Sequence, residues 1–349
     1  MTNYHHPVTI GDIEVPGNLF LAPVAGYSDA AFRSVCVEAG ADLCYTEMVS
    51  AEALTRGHEK TKGLLERAEN EKAYAIQLFG ASPSALAEAC RISLAWKPLL
   101  IDLNCGCPVP KIIKSGSGSA LPRNGRRFGE VVEAMAGALE GSGVPLTVKF
   151  RLGWDQASIN YLETGRIAVE AGARAVTLHA RTRAQNYSGK ADWSAVSALA
   201  KALPVPVFAS GDIFSAAAAL SCMEETGAAG VMVARGAMGN PFIFREARAA
   251  LEGLPMPAVG VDERVAMARR HLELSIQFLG ERSACVEFRK QFCSYTKGST
   301  AGAVLRGEAV RASTMAEFDG LFMRWLEAAA GRPPERHEPD SPEIEFYGE

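Results

Sequence analysis

Pro98-Leu99-Leu100-Ile101-Asp102-Leu103-Asn104-Cys105-Gly106-Cys107-Pro108 is the stretch from which the rest of the chain can be read. Its first four residues form an apolar run, long enough for a buried strand and too short for a helix. The run then breaks into Asn, Cys, Gly, Cys and Pro, which form loops or react and do not fill cores. A thiol at the end of a buried strand, with Lys111 and Lys114 in the loop beyond it, is a plausible acid or nucleophile. The Lys114-Ser115-Gly116-Ser117-Gly118-Ser119-Ala120 segment reads as flexible, able to fold over a substrate.

The same strand-then-loop unit recurs on both sides. Apolar strands are expected at 19–22, 43–46, 73–79, 145–150, 175–179, 205–209 and 230–233, each stopped by Pro, Gly or a polar residue. Helical stretches lie between them. Ser28 or Asp29 caps one that Gly40 ends, Ser82-Pro83 opens another, and Ser215 caps an Ala-rich one. A polar helical region covers 51–67, and further helices are expected at 128–139, 159–171 and 193–203. Eight strands alternating with helices over about 225 residues predict an α/β fold, a closed (β/α)8 TIM barrel. Near-continuous apolar strands suit a sheet covered on both faces. A doubly wound open sheet is the alternative that the pattern leaves open.

Past Pro241 the pattern changes. Leu254-Pro255-Met256-Pro257 is linker-like, and Val265, Ala268, Leu272, Ile276 and Leu279 then space out a helical apolar face. Val286, Phe292 and Tyr295 mark a second helix, and Phe318, Leu321, Phe322 and Trp325 another. The expected division is a catalytic barrel over 1–245, a small C-terminal helical domain over 246–331, and a disordered acidic, Pro-rich tail over 332–349.

Of the 349 residues, 48% are apolar and 22% charged, as in ordinary globular chains. A formal net charge of −4 supplies no global basic field, so any nucleic acid would need a local basic face. The 8 Cys are scattered through apolar runs, a reduced intracellular pattern and not a disulfide framework. No signal peptide is evident, and no apolar run approaches the ~18 residues of a membrane span, so the cytoplasm is the expected compartment.

Barrel chemistry sits at the carboxyl ends of strands. Those ends carry Pro23-Val24-Ala25, Glu47, Gln77, Asn104 with Cys107, Lys149 with Arg151, His179 with Arg181, Ser210-Gly211-Asp212 and Ala234-Arg235-Gly236. A lysine ending a buried strand is costly unless it has a task. The last two strand ends resemble a phosphate cup, with Gly211 and Gly236 freeing backbone N–H groups and Arg235 adding charge. Together with Lys149, Gln77 and the thiol, this suggests a phosphorylated cofactor across the barrel mouth. No metal pattern competes, because Cys105-x-Cys107 has no second pair at zinc spacing.

In this order the motifs closely resemble the tRNA-dihydrouridine synthases. The matching pieces are Leu21-Ala22-Pro23-Val24-Ala25-Gly26, Thr46-Glu47-Met48, Ile76-Gln77-Leu78-Phe79-Gly80 and Asp102-Leu103-Asn104-Cys105-Gly106-Cys107-Pro108. Val148-Lys149-Phe150-Arg151-Leu152-Gly153-Trp154, His179-Ala180-Arg181-Thr182-Arg183 and Gly230 to Gly236 complete the set. The resemblance covers about residues 15–245, with a helical domain following as in that family. It implies FMN as cofactor, NADPH (or NADH) as electron donor, and reduction of tRNA uridine to 5,6-dihydrouridine.

Carried over by motif, Cys107 would protonate C5 while reduced flavin delivers hydride to C6; Cys105 is left unassigned. Pro23, Val24, Ala25, Gln77, Lys149 and His179 would hold the flavin ring and ribityl chain, and Ser210, Gly211, Asp212, Ala234 and Arg235 its phosphate. Asn104, Lys111, Arg151, Arg181 and Arg183 would face the uridine and nearby RNA. Ser210 stands where the family commonly has Asn, and Ala234 where it has Gly; both are small and keep backbone donors. A basic set in the helical domain, Arg269, Arg270, Arg289, Lys290, Lys297 and Arg306, is expected to grip the RNA backbone. Two other readings remain: a barrel oxidoreductase acting on a free pyrimidine, similar to dihydroorotate dehydrogenases, and a non-catalytic RNA-binding barrel.

Overall fold

The computed structural model describes residues 3–331, so the tail expected to be disordered lies outside the described residues. The chain opens with a hairpin, β1 (Val8–Ile10) and β2 (Ile13–Val15), turned by Gly11-Asp12 with Gly11 at φ +60°. Eight parallel strands then close a barrel in chain order. They are β3 (Leu19–Leu21), β4 (Leu43–Ser50), β5 (Tyr74–Phe79), β6 (Leu100–Cys105), β7 (Leu146–Arg151), β8 (Ala175–His179), β9 (Val207–Ser210) and β10 (Gly230–Val233), which returns to β3. The closed barrel replaces the open-sheet alternative. Expected helix starts hold as well: Asp29, Ser82 and Ser215 each accept a backbone N–H from three residues on.

Strand parity sorts the side chains. On β6, Ile101, Leu103 and Cys105 join the layer between strands and helices, as do Val148 and Phe150 on β7 and Val176 and Leu178 on β8. The alternate residues point into the barrel. Low in the barrel these are apolar: Phe20, Tyr45, Ala75, Leu100, Ala175, Phe208 and Met232 form one cluster with Val8, Ile10 and Val15 of the hairpin, which plugs that end. One or two pleats higher, the same parity carries Gln77, Asp102, Asn104, Thr147, Lys149, Arg151, Thr177, His179 and Ser210.

β4 runs to Ser50, beyond the expected stop at Glu47. Its register against β5 shifts between Tyr45 and Met48, and irregularities of this kind re-aim side chains near active sites. Thr46 bridges the shift: its hydroxyl accepts from Gln77 N–H at 3.1 Å and donates to the Glu47 carbonyl at 2.8 Å.

Four C-terminal helices, Val261–Leu279, Glu281–Tyr295, Gly302–Ala309 and Met315–Ala330, enclose an aromatic core of Phe288, Phe292, Tyr295, Phe318, Phe322 and Trp325. Gly302–Ala309 and Ile243–Leu251 were not anticipated from periodicity. The bundle docks on the barrel helix Ala30–Glu38. Phe32 stacks on the buried His271 with centroids 5.5 Å apart, and Arg270 pairs with Glu38 at 3.1 Å. Gly239, at φ +69°, brings the loop after β10 so close to Ser294 that a Cβ would lie 2.3 Å from its carbonyl carbon. Among the described residues no helix is long and apolar enough to cross a membrane.

One buried ion pair fastens this side of the barrel. Arg33 and Glu71 are 1% and 0% exposed and meet through Nε–Oε1 at 2.7 Å and Nη2–Oε2 at 3.0 Å. Arg33 also donates to the Ser28 and Glu66 carbonyls, while Glu71 accepts from Ala68 N–H. Removing one partner strands a buried charge. Glu71→Ala is expected to cost about 3–5 kcal/mol, visible as a drop in the calorimetric midpoint, with the double replacement Arg33→Met/Glu71→Leu recovering most of it. Equal loss in the single and double variants would show that packing, not charge, carries the effect.

Candidate active site

The polar parity of β5 to β9 converges at the carboxyl end of the barrel. Register pairs Gln77 with Asp102, Asn104 with Lys149, Arg151 with His179, and His179 with Ser210, so these residues are lateral neighbours. Val24 and Ala234 pack on the interior cluster beside them.

β6 carries the thiol into this mouth through a tight loop. Asn104 Oδ1 accepts from the N–H groups of both Gly106 and Cys107, at 3.1 and 3.0 Å, bending the chain as it leaves the strand. Arg151 Nε donates to the Gly106 carbonyl at 2.7 Å. Ser119 holds the other side: its N–H and hydroxyl both donate to the Cys107 carbonyl. Gly118, at φ +57°, allows the approach, since a Cβ there would lie 2.8 Å from that carbonyl oxygen. The segment expected to be a flexible cover is thus fastened beneath the thiol, with Ser117 and Ser119 buried. Cys107 is 9% exposed, and burial raises its pKa despite the Val109 amide and the nearby Arg151 and Lys149 cations. At neutral pH it is therefore a protonated thiol. Cys105 faces the helices in the apolar layer and is inert.

A chain of hydrogen bonds runs back from this loop. Asn104 Nδ2 donates to Gln77 Oε1 at 2.7 Å, and Gln77 Nε2 to Asp102 Oδ2 at 2.7 Å. Thr147 Oγ1 donates to Asp102 Oδ1 at 2.6 Å. An ionised carboxylate only accepts, so Asp102 sets the orientation of both amides in turn. An ionisable residue inside Leu100-Ile101-Asp102-Leu103 was the sequence signal for this role. Burial pushes the Asp102 pKa up from 3.8 to about 6, more than Thr147, Gln77 and Lys149 lower it.

The folded chain therefore keeps a proton that the unfolded chain gives up, and stability falls as pH rises through this window. Above it the charge costs about 3 kcal/mol. Asp102→Asn is expected to melt several degrees higher than wild type at pH 8, the difference closing below pH ~4. Identical melting curves at pH 8 would mean the carboxylate is not a buried charge.

Across the mouth the charge is positive. Lys149 makes no hydrogen bond or ion pair among the described residues, and burial followed by the Arg151 cation lowers its pKa from 10.5 to about 8. His179 is 9% exposed; burial, then Arg151, Lys149, Arg181 and Arg235, hold it neutral, far below its ordinary value. Its Nε2 is buried without a partner. Gly211, at φ +116°, leaves space beside that ring, where a Cβ would lie 3.2 Å from Cδ2. The amides of Gly211 and Arg235 take no acceptor among the described residues. An orphaned imidazole nitrogen, an unpaired ammonium and two free amides fit an anionic, ring-bearing ligand such as a flavin mononucleotide.

Several expected contacts are used internally. Arg181 was expected to face RNA and Asp212 a phosphate, but Arg181 Nη2 reaches Asp212 Oδ1 and Oδ2 at 2.7 and 2.8 Å, with further bonds to the Ser188 and Gly189 carbonyls. Only 2% exposed, Arg181 is a brace for the loop after β8, and Asp212 offers a phosphate its backbone alone. Arg151 is also largely committed, to the carbonyls of Gly106, Thr182 and Asn186. Arg235 stays closer to solvent, 3.8 Å from Asp212.

Tyr187 went unnoticed in the sequence because no motif surrounds it. Its ring lies 5.5 Å from the Arg151 guanidinium, 4.9 Å from that of Arg235 and 6.2 Å from the His179 ring, over the same mouth. Pro23 and Ala25 lie in the loop after β3 and Lys111 in the short helix Pro110–Lys114 after β6, with Ala25 and Lys111 exposed.

The helical basic set is also mostly engaged. Arg269 pairs with Asp319, Arg270 with Glu38, and Arg289 and Arg306 hold the Ala312 and Thr296 carbonyls. Lys290 pairs with Glu287 yet lies 5.9 Å from the Tyr27 ring, which brings the bundle to the edge of the mouth. Of the six, Lys297 alone makes no side-chain bond among the described residues.

Comparison with known proteins adds independent information. A family model described as Dihydrouridine synthase (Dus) matches residues 20–330. A probable tRNA-dihydrouridine synthase of Treponema pallidum is 47% identical over 326 residues, covering 91% of this chain and 96% of that protein. A probable tRNA-dihydrouridine synthase of Mycobacterium tuberculosis is 40% identical, covering 90% and 84%. The tRNA-dihydrouridine synthase B of Pseudomonas aeruginosa is 35% identical over 78% and 82%. Among solved structures, histamine dehydrogenase from Rhizobium sp. 4-9 shares the fold with a TM-score of 0.56 at 16% identity, covering 77% of this chain and 50% of that one. Morphinone reductase does so with a TM-score of 0.51 at 11% identity, covering 76% and 94%.

Proposed function

Since the chain belongs to the dihydrouridine synthase family, we propose that it reduces uridines of tRNA to 5,6-dihydrouridine, with FMN as cofactor and NADPH or NADH as electron source. The observation that carries this reading is one barrel mouth that holds a protonated thiol after β6, an unpaired ammonium on the neighbouring β7 and anion-ready turns after β9 and β10.

The flavin, when bound, supplies the hydride for uracil C6. Everything else falls to the chain. Cys107 gives its proton to C5 from a thiol that burial keeps protonated. Negative charge develops toward O4, and Lys149 is the cation free to meet it. Pro23, Val24, Ala25, Gln77, Lys149 and His179 hold the flavin ring and ribityl chain. Ser210, Gly211 and Ala234, the backbone of Asp212, and Arg235 hold its phosphate. Lys111 and Arg183 meet the nucleotide; Asn104, whose side chain is taken up by Gln77 and the Gly106 and Cys107 amides, shapes the thiol loop, and Arg151 and Arg181 brace the loops around it. A stacked uridine must be turned out of the RNA to reach this depth. Residues 1–245 form the catalytic unit and 246–331 an RNA-orienting unit, with the cytoplasm as the place of work.

The test is to purify the protein, record its flavin absorbance, and compare NADPH-driven reduction of unmodified tRNA with that of free uridine. A yellow protein acting on tRNA supports the reading. Turnover of free pyrimidine alone, or a colourless protein that cannot be loaded with FMN, overturns it. Mapping dihydrouridine in tRNA from cells lacking the protein then identifies the position modified.

A further inference from the structure

At the rim of the mouth, two arginines share one indole. The guanidinium carbons of Arg123 and Arg183 lie 4.4 and 4.5 Å from the centre of the Trp154 ring. They are therefore no more than about 9 Å apart, inside the Debye length of ordinary buffers. Among the described residues neither guanidinium has a carboxylate partner or a hydrogen bond, and Arg183 Nε is buried without an acceptor. This differs from Arg33, Arg181, Arg245, Arg269 and Arg324, each of which sits against a carboxylate.

Stacking on the indole attracts each cation by roughly 0.5–1 kcal/mol at an exposed site, enough to hold the two positive charges side by side with neither neutralised by a carboxylate. An anion bridging them supplies that missing partner. Guanidinium groups suit phosphate oxygens, which they meet in a fork, and the flat indole holds both forks in fixed planes.

All three residues are tied to the catalytic loops. Arg123 ends the Gly118–Arg123 turn, whose Ser119 holds the Cys107 carbonyl. Trp154 lies three residues after Arg151. The Arg183 and Ala184 amides donate to the Gly153 and Trp154 carbonyls, joining the loops after β7 and β8.

We propose that Arg123, Trp154 and Arg183 form a clamp for the phosphodiester backbone of the RNA strand entering the mouth, next to the uridine being reduced. The proposal rests on the tRNA reading above and adds the place where the backbone is held.

Binding of an unmodified tRNA transcript to the flavin-loaded protein, measured by fluorescence anisotropy across a salt series, tests it. Each phosphate contact contributes roughly 0.7–0.9 to the slope of log K against log salt. Arg123→Ala and Arg183→Ala should each weaken binding several-fold and flatten the slope by about that amount, and the double variant by about twice as much. Arg123→Lys should keep the slope and lose part of the affinity, since charge remains and the fork is lost. Arg123 is exposed, so its replacement leaves the fold intact. If wild type binds tRNA and both alanine variants show its affinity and slope, the clamp is wrong while the function stands. If wild type does not bind tRNA at all, the functional reading itself fails.

Discussion

Cys107→Ala is expected to lower dihydrouridine formation by about 10²- to 10⁴-fold, the range for removing a positioned general acid. Flavin absorbance and tRNA affinity should not change. The loop that carries the thiol is held by Asn104, Arg151 and Ser119 through backbone atoms only, so removing Sγ leaves its geometry in place. Cys107→Ser should lie between wild type and alanine, because a hydroxyl in the same place is a weaker acid. The thiol's raised pKa adds a second expectation: the donor stays loaded through the neutral range, so its own titration produces no loss of activity there. Dihydrouridine made by the alanine variant at the wild-type rate would falsify the acid role. Loss of flavin from that variant would instead mean that the sulfur helps to shape the cofactor pocket.

Strand parity explains why so much of the site was legible beforehand. A polar residue of inward parity in the carboxyl half of a buried strand has little choice about where it points, and Gln77, Asn104, Lys149 and His179 are all of this kind. The hairpin at the other end was equally readable, since Ile10-Gly11-Asp12-Ile13 is a two-residue turn between alternating residues, but it was passed over. Pairings between loops were not legible. Nothing local in Arg181 or Asp212 says that they neutralise each other, and nothing in Ser117-Gly118-Ser119 says that it fastens to a carbonyl ten or more residues earlier. Such pairs are set by which loops become neighbours once the barrel closes. The same limit hid Tyr187, and it hid that most of the bundle's arginines already have a partner within the fold.

Lys149→Met should shift stability and activity in opposite directions. The ammonium stands on an inward pleat of β7 with no partner among the described residues, and its pKa falls from 10.5 to about 8. Because the folded chain holds that proton less tightly than the unfolded chain, stability rises as pH climbs from about 8 toward 10.5, and the full cost, about 3 kcal/mol, is present at pH 7. Methionine fills similar space without charge, so the variant is expected to melt higher at pH 7, the gap narrowing toward pH 10.5. A chain that carries such a cost gains from it elsewhere, and here the gain is a cation aimed at an anionic ligand and at charge developing on the uracil. The variant should therefore lose about 10²- to 10³-fold in kcat/KM, the usual effect of removing one preorganised charge. FMN retention should also weaken, and the decline in wild-type FMN affinity as pH passes 8 should disappear. Calorimetry and flavin fluorescence titration on the same preparations separate the possibilities. A variant less stable than wild type at pH 7 would mean that Lys149 has a structural partner, and one with unchanged turnover and flavin affinity would remove it from the site.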